Sequence, residues 1–423
     1  MSCGFLKRQR KVTPLGFINS LVFHCFTNDE VSLNDHVIDL ASKEDIVMTK
    51  QSLNQRFTGA SVDFVKSLVE KQFREQVIDE SLKEGVLKHW DNIYLHDSSQ
   101  FALPAHMAEY FKGYGGAIKS DSVIKIQHGY ELKSGKLQVH QIGDAHSQDV
   151  TSGKQTLDSY KKGDLLLRDL GYFDLKSFAS LSQDNEAEFI SRLKPKTTIF
   201  ELNGEKLDLK KLVGEMKKGN TPFIDKRLII GAKEKVEMRV IISLSPDEVV
   251  KERLRKTNKH NKSKGFQTSE DYKIYAALNI YITNVGQKKL TTQQVLGLYR
   301  LRWQVELLFK TWKSYYKIHR IRACNYYRTL CYLYATLLVI QVNWEISSFA
   351  HALANKYLGQ PLSILKLMKA CLQYKNDQRE WPRQSHKQVS IQLRDMFLIL
   401  LKNTVREKRK KRHNYQDILT SIV

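Results

Sequence analysis

Apolar residues recur at helical spacing in two early sets, Leu33, Val37, Ile38, Leu40 and Ala41, then Leu53, Phe57, Val62, Val65, Leu68 and Val69. A turn at 42–46 joins them. Two helices so joined suit a helix-turn-helix, with Lys50, Gln51, Asn54, Gln55 and Arg56 facing a groove. The same pattern fits an ordinary helical pair. Thr49 or Ser52 is placed to cap the second set and Gly59 to break it. From Trp90 the texture turns to strands. Ile93, Tyr94 and Leu95 precede Asp97, while 123–127 and 137–142 alternate around a turn at Ser134-Gly135 and predict a hairpin. Leu165 to Leu167 reads as a central strand covered on both faces. Helices are expected over 173–181 and 187–193, and strands again over 227–230 and 236–244. No proline lies between Pro246 and Pro361, and 291–348 reads mostly as helix.

Composition bounds the partners. The 423 residues carry 68 Lys and Arg against 45 Asp and Glu, a net charge of +23. A hydrophobic fraction of 42% excludes a disordered chain or a collagen-like fibre. The charge favours nucleic acid, because cations on a binding face release counterions from phosphates. Residues 251–264 hold seven Lys or Arg and one acid, and 406–412 hold six and one; either run alone is also what a solvated helix face or tail looks like. The longest apolar stretch, 330–340, falls short of the ~18–20 residues of a membrane span. The basic-then-apolar start imitates a signal peptide, but Asn19, Ser20 and His24 interrupt it and export is not expected. Five scattered cysteines favour a reducing compartment.

The most informative segment is 299–313, YRLRWQVELLFKTWK. On one helix at ~100° per residue, Tyr299, Arg302, Glu306 and Lys313 fall within a ~60° arc. Leu298, Leu301, Val305, Leu308 and Trp312 form the apolar face. Arg302 and Glu306 are also the i,i+4 spacing of a plain surface pair. Tyr299 and Trp303 beside stacked cations suit bases and phosphates. Asp97 and Asp169 each follow a strand-like run, where a carboxylate is poorly placed for a core and well placed at a sheet's rim. Two strand carboxylates and one on a helix are what a pair of Mg²⁺ ions requires. Each Asp is also an ordinary turn or cap residue, and Asp91, Asp144, Asp158 and Asp164 are rivals.

Tyr299, Arg302, Glu306 and Lys313 match without a gap the Tyr-Arg-Glu-Lys motif of the IS-four group of bacterial insertion-sequence transposases, and the chain resembles that group over roughly residues 30–345. Asp97 in LHDSSQFALP is similar to the group's first catalytic Asp, and Asp169 in RDLGYF to the second. Glu306 would be the third. The resemblance implies an α/β chain with a ribonuclease H-like mixed sheet, helical N- and C-terminal regions and a β-rich insertion between Asp169 and Glu306. The organisation expected is an end-binding helical domain at 1–85, in which TKQSLNQRFT resembles the group's end-recognition segment. A catalytic core at 86–199 and 276–345, an insertion at 200–275 and a helical region with a basic tail at 346–423 complete it.

The activity implied is cut-and-paste DNA transposition. Asp97, Asp169 and Glu306 would hold two Mg²⁺ ions, with Mn²⁺ able to substitute, for hydrolysis at the element end. The freed 3′-OH would then form a hairpin and later attack target DNA. Tyr299, Arg302 and Lys313 would grip phosphates with Trp303 also contacting DNA, and Arg253, Arg255, Lys256 and Lys259 of the basic insertion, with the tail, would hold the flanks. The partners implied are double-stranded DNA, as terminal inverted repeats and target, and a second copy of the chain on paired ends. No membrane partner is expected, and the setting is the bacterial cytoplasm at the nucleoid. The chain departs from the group in one respect: the Trp that stacks a flipped base from the insertion is absent, which leaves Phe266, Tyr275, Tyr281 or Trp303 for that role, or a different step. An inactive DNA-binding remnant that represses its own element, and a structure-specific nuclease, share parts of this pattern.

Overall fold

The computed structural model describes residues 5, 12–26, 31–74, 85–114, 120–322, 324–360 and 362–407. It opens with α1 (Pro14–Phe26), α2 (Leu33–Glu44), the short α3 (Lys50–Asn54) and α4 (Gly59–Arg74). There follow β1 (Asn92–Ala102), β2 (Val123–Glu131), β3 (Leu137–Asp144), α5 (Asp149–Gln155), β4 (Asp164–Arg168), α6 (Leu175–Gln183) and β5 (Glu188–Arg192). The middle of the chain forms β6 (Ile199–Phe200), α7 (Leu209–Lys218), β7 (Phe223–Ile230), β8 (Val236–Leu244), α8 (Asp247–Lys262), α9 (Glu270–Ala276) and β9 (Leu278–Thr283). The remainder is helical: α10 (Thr292–Leu301), α11 (Trp303–Ser314), α12 (Tyr326–Leu358), α13 (Ile364–Cys371), α14 (Lys375–Glu380) and α15 (His386–Asn403). The architecture is mixed α/β, as the sequence implies. No helix among the described residues is long and apolar enough to cross a membrane.

The chain divides into two compact units, and two of the divisions fall between Asp97 and Ser98 and between Arg302 and Trp303. Residues 84–97 and 148–302 build a sheet in the order β1-β4-β5-β9-β8-β7-β6. β1, β4 and β5 are parallel, and β9, β8, β7 and β6 continue antiparallel from β5. The insertion therefore extends this sheet instead of forming one of its own. Leu165, Leu166 and Leu167 on β4 are fully buried, as a strand covered on both faces requires. A core of Leu166, Phe178, Phe189, Met216, Leu228, Val240 and Ile282 holds the unit together.

The other unit, from residues 1–83, 98–147 and 303–416, contains the end of β1 with the β2–β3 hairpin in the order β3-β2-β1. Gly135 supplies the left-handed turn of that hairpin at φ +68°. Here α12 is the central helix, with α1, α4 and α13 packed on it. Asn325 caps its start by accepting from the Arg328 amide at 2.9 Å, and Gly359 ends it in the left-handed region.

Several expectations change. Residues 187–193, read as helix, contain β5, because Phe189 and Ile190 are buried between β4 and β9. The insertion carries the expected strands but also α7, α8 and α9. The second early helix is split, with α3 ending at Asn54 and α4 beginning at the predicted break, Gly59. Thr49, not Ser52, caps α3.

Candidate active site

β1 and β4 run in parallel register up to the pair Leu95 and Leu167. Two residues further, each strand presents an aspartate: Asp97 within β1, which continues beyond it, and Asp169 just past the end of β4. Both were expected to close a strand; only Asp169 does. After Asp169 the chain turns sharply, with the Tyr172 amide donating to the Asp169 carbonyl at 3.0 Å. Gly171 leaves room for Asp149 beside this turn: a Cβ there would lie 2.6 Å from the Asp149 carboxylate oxygen, which would have to shift. The two aspartates converge on one guanidinium. Arg302 approaches Asp97 Oδ2 at 3.8 Å and Asp169 Oδ1 at 3.6 Å, with side-chain exposures of 14%, 18% and 36% for Arg302, Asp97 and Asp169.

Arg302 occupies a break. The sequence places 299–313 on a single helix, but α10 ends at Leu301 and α11 begins at Trp303. Arg302 keeps helical dihedrals, φ −51° and ψ −35°, and its amide donates to the Tyr299 carbonyl at 3.2 Å, an i to i−3 contact that tightens the turn there. Tyr299 is buried, edge-on to Tyr281 at 5.1 Å and 5.9 Å from the Arg302 guanidinium carbon. Burial pushes its phenol pKa up, and its hydroxyl has no hydrogen-bond partner among the described residues.

On α11 Glu306 is exposed, and Trp312 is buried against Phe309 and His128. Lys313 is half-buried and donates to the Gln100 carbonyl at 2.9 Å, and burial lowers its pKa. The side chains of Trp303, Val305 and Leu308 lie outside the described residues, as do Lys408–Arg412 of the basic tail. Among the described residues no group of three or more His, Cys, Asp or Glu side chains is assembled around a metal position.

The other candidates separate by exposure. Lys50 and Gln51 on α3 are exposed, while Asn54 and Arg56 are half-buried, so these residues occupy a five-residue helix and the turn after it instead of a long second helix. In the insertion, Arg253 is committed inside the fold, donating to Ser245 Oγ, the Ala276 and Leu278 carbonyls and Asn279 Oδ1 at 2.6–3.1 Å. Arg255 and Lys256 are exposed and share Glu252, and Lys259 is exposed on the same helix. Of the three aromatics considered for base stacking in the insertion region, Tyr275 donates to the Leu193 carbonyl and Tyr281 packs on Tyr299, whereas Phe266 is 67% exposed.

One buried network escaped the sequence reading. His96 and Arg168 immediately precede the two aspartates and are almost fully buried. The Tyr160 hydroxyl lies 2.6 Å from His96 Nε2, and Arg168 donates to the Gly153 carbonyl at 3.2 Å. Burial pushes the Arg168 pKa down, opposed by Tyr160 and Tyr172. The only sequence signal was a cation and an imidazole beside apolar runs.

Residues 90–342 match the family model described as the transposase DDE domain. The chain is 31% identical over 358 residues to the transposase for insertion sequence element IS231C of Bacillus thuringiensis subsp. berliner, covering 80% of this chain and 73% of that protein. It is 30% identical over 392 residues to the transposase for insertion sequence element IS1151 of Clostridium perfringens, covering 88% and 81%. A piggyBac transposase in a synaptic complex with hairpin DNA aligns over 97% of this chain and 82% of that one, at a TM-score of 0.46 and 9% identity. The chain belongs to the DDE-domain transposases of bacterial insertion sequences, enzymes that cleave DNA and transfer its strands.

Proposed function

We propose that Asp97, Asp169 and Glu306 are the three catalytic carboxylates of a cut-and-paste transposase and hold two Mg²⁺ ions, for which Mn²⁺ substitutes. The convergence of Asp97 and Asp169 on the Arg302 guanidinium carries this reading. Two carboxylates sharing one cation keep a net negative charge, and hard oxygen donors of that kind suit a divalent ion. The strand order β3-β2-β1-β4-β5 supports a ribonuclease H-like core. When bound, the ions supply the Lewis acidity that lowers the pKa of the attacking water and offsets charge at the phosphate.

The chain's own residues do the rest. Arg302 offers a planar fork to a phosphate, and the Tyr299 hydroxyl, without a hydrogen-bond partner among the described residues, offers a donor beside it. Lys313 adds a half-buried cation, donating to the Gln100 carbonyl, whose charge an incoming phosphate would satisfy better than a neutral carbonyl does. Lys50 and Gln51 would meet the duplex end, Arg255, Lys256 and Lys259 its flank, and Phe266 an unstacked base. Excision at two ends needs two active sites, so the working form is a homodimer on paired inverted repeats, acting in the cytoplasm at the nucleoid.

The test is a set of charge-neutralising variants. Asp97→Asn, Asp169→Asn and Glu306→Gln should each fold, bind element ends and lose cleavage by several orders of magnitude. A variant that folds, binds and cuts at near wild-type rate removes that residue from the triad.

A further inference from the structure

An exposed aromatic surface lies outside the carboxylate site. Tyr110, Tyr114 and Tyr327 are 50%, 45% and 44% exposed. Tyr110 and Tyr114 lie four residues apart on the loop after β1, and Tyr326 and Tyr327 open α12. Tyr110 stacks on Tyr326 with ring centres 4.2 Å apart, and Tyr326 meets Tyr327 edge-on at 5.5 Å. Arg322 is exposed just ahead of the α12 pair and Arg328 follows it.

Both ends of this surface reach residues already singled out. At one end Arg328 donates to Asn54 Oδ1 at 3.4 Å, and a Cβ at Gly59 would sit 3.8 Å from the Tyr327 ring, which joins α12 to the turn after α3. At the other end Gln100 accepts from the Tyr114 hydroxyl at 2.6 Å through its side chain and from Lys313 at 2.9 Å through its carbonyl. The aromatic surface thus runs from the end-reading candidates to a cation of the Tyr-Arg-Glu-Lys motif.

We propose that Tyr110, Tyr114, Tyr326 and Tyr327 form a stacking platform for single-stranded DNA, with Arg322 and Arg328 holding its phosphates. Duplex bases hide their faces from exposed rings, whereas unpaired bases of any sequence stack on them, and flanking guanidiniums follow the backbone. The strand is the one left unpaired where the element end is opened between recognition and cleavage. The proposal rests on DNA being the substrate but on none of the catalytic assignments, and it requires no metal.

The experiment uses the full chain without divalent metal. Labelled single strands about 12 nucleotides long, within the span of one single-strand site, carry 2-aminopurine and are titrated beside a random duplex of equal length. Tyr110→Ala and Tyr327→Ala should each weaken single-strand binding about tenfold and remove the quenching of 2-aminopurine, with duplex affinity changed less than about twofold. Tyr110→Phe should retain both, because the ring and not the hydroxyl does the stacking. Thermal melting of each variant identifies any that fail to fold, and the Phe variant then carries the comparison with Tyr327→Ala. Unchanged single-strand binding in the Ala variants overturns the platform, as does an equal loss for duplex and single strand. Failure of the triad variants to lose cleavage leaves this result untouched.

Discussion

Arg302 sets the character of the carboxylate site, because one guanidinium stands between two carboxylates. Without it, Asp97 and Asp169 would repel one another; with it, they are partly neutralised by the cation that an incoming divalent ion must outcompete. Arg302→Ala should therefore tighten Mn²⁺ binding several-fold in the DNA-free protein, read by electron paramagnetic resonance, while strand cleavage falls. Arg302→Lys separates the two effects. It keeps the charge but loses the planar fork, so Mn²⁺ affinity should stay near wild type and cleavage should remain low. If neither variant altered Mn²⁺ binding, the guanidinium would be no competitor for the metal position.

Between elements, the most demanding link is a buried ion pair in the insertion. Arg239 on β8 donates to Asp225 on β7 through Nε at 2.9 Å and a terminal nitrogen at 2.6 Å. Its other terminal nitrogen reaches the Val285 and Leu290 carbonyls, and Thr292 at the start of α10 also donates to Asp225. The latch fixes where α10 begins and thereby where Arg302 ends up. Burial works to raise the Asp225 pKa, but its bonds to Arg239 and Thr292 prevail and hold it low. Asp225→Asn strands a buried cation and should destabilise by about 3–5 kcal/mol in urea unfolding, whereas Asp225→Leu with Arg239→Met should recover most of the loss. A loss below about 1 kcal/mol for Asp225→Asn, the ordinary range of surface changes, would show that the latch contributes little.

How much of this was legible depended on length and period. The hairpin, the central strand and the helical third of the chain followed from clean patterns. β5 did not, since a five-residue strand with only two apolar residues, Phe189 and Ile190, carries no period that separates strand from helix. α8 was hidden for the opposite reason: none of its residues is buried, so no apolar stripe marks it. The two aspartates and the motif were visible as residue types at fixed spacings. The one-residue turn at Arg302 was not, because no proline or glycine marks it in the sequence.

For the N-terminal half of the unit built around α12, the sequence suggested a separate end-binding domain at 1–85, and the packing argues otherwise. Buried His36 on α2 lies 2.8 Å from Ser20 Oγ on α1 and 3.0 Å from the Tyr332 hydroxyl on α12. Desolvation lowers the His36 pKa from 6.5 to about 4. The folded form thus holds this imidazole neutral where the unfolded chain takes up a proton. Its contribution is complete above pH 6.5 and lost progressively down to about pH 4, a change of roughly 3 kcal/mol. His140, also lowered to about 4 by burial, acts in the same direction. Thermal midpoints should fall across that window, and less steeply in His36→Gln; an unchanged slope in that variant would show that His36 does not carry the effect.

Asp39 and Glu44 of α2 depend on the far end of the chain in the same way. Arg379 forks onto Asp39 with two bonds of 2.7 Å, and both Arg379 and Arg383 pair with Glu44. α1 and α4 pack on α12, and Leu21, Val65 and Val69 are buried in the whole chain. A fragment of residues 1–85 would lose Arg379 and the α12 surface together, leaving buried carboxylates without counterions and an apolar helix face in water. Its helices are short, and isolated helices of about 12–15 residues are marginal in water. The fragment should therefore show weak helical circular dichroism, no cooperative melt and no preference for element ends over random duplex. Adding residues 324–407 in trans or on a linker should restore helicity and end preference together. A cooperatively folded 1–85 fragment that still selected element ends would return the first 85 residues to the status of an independent domain.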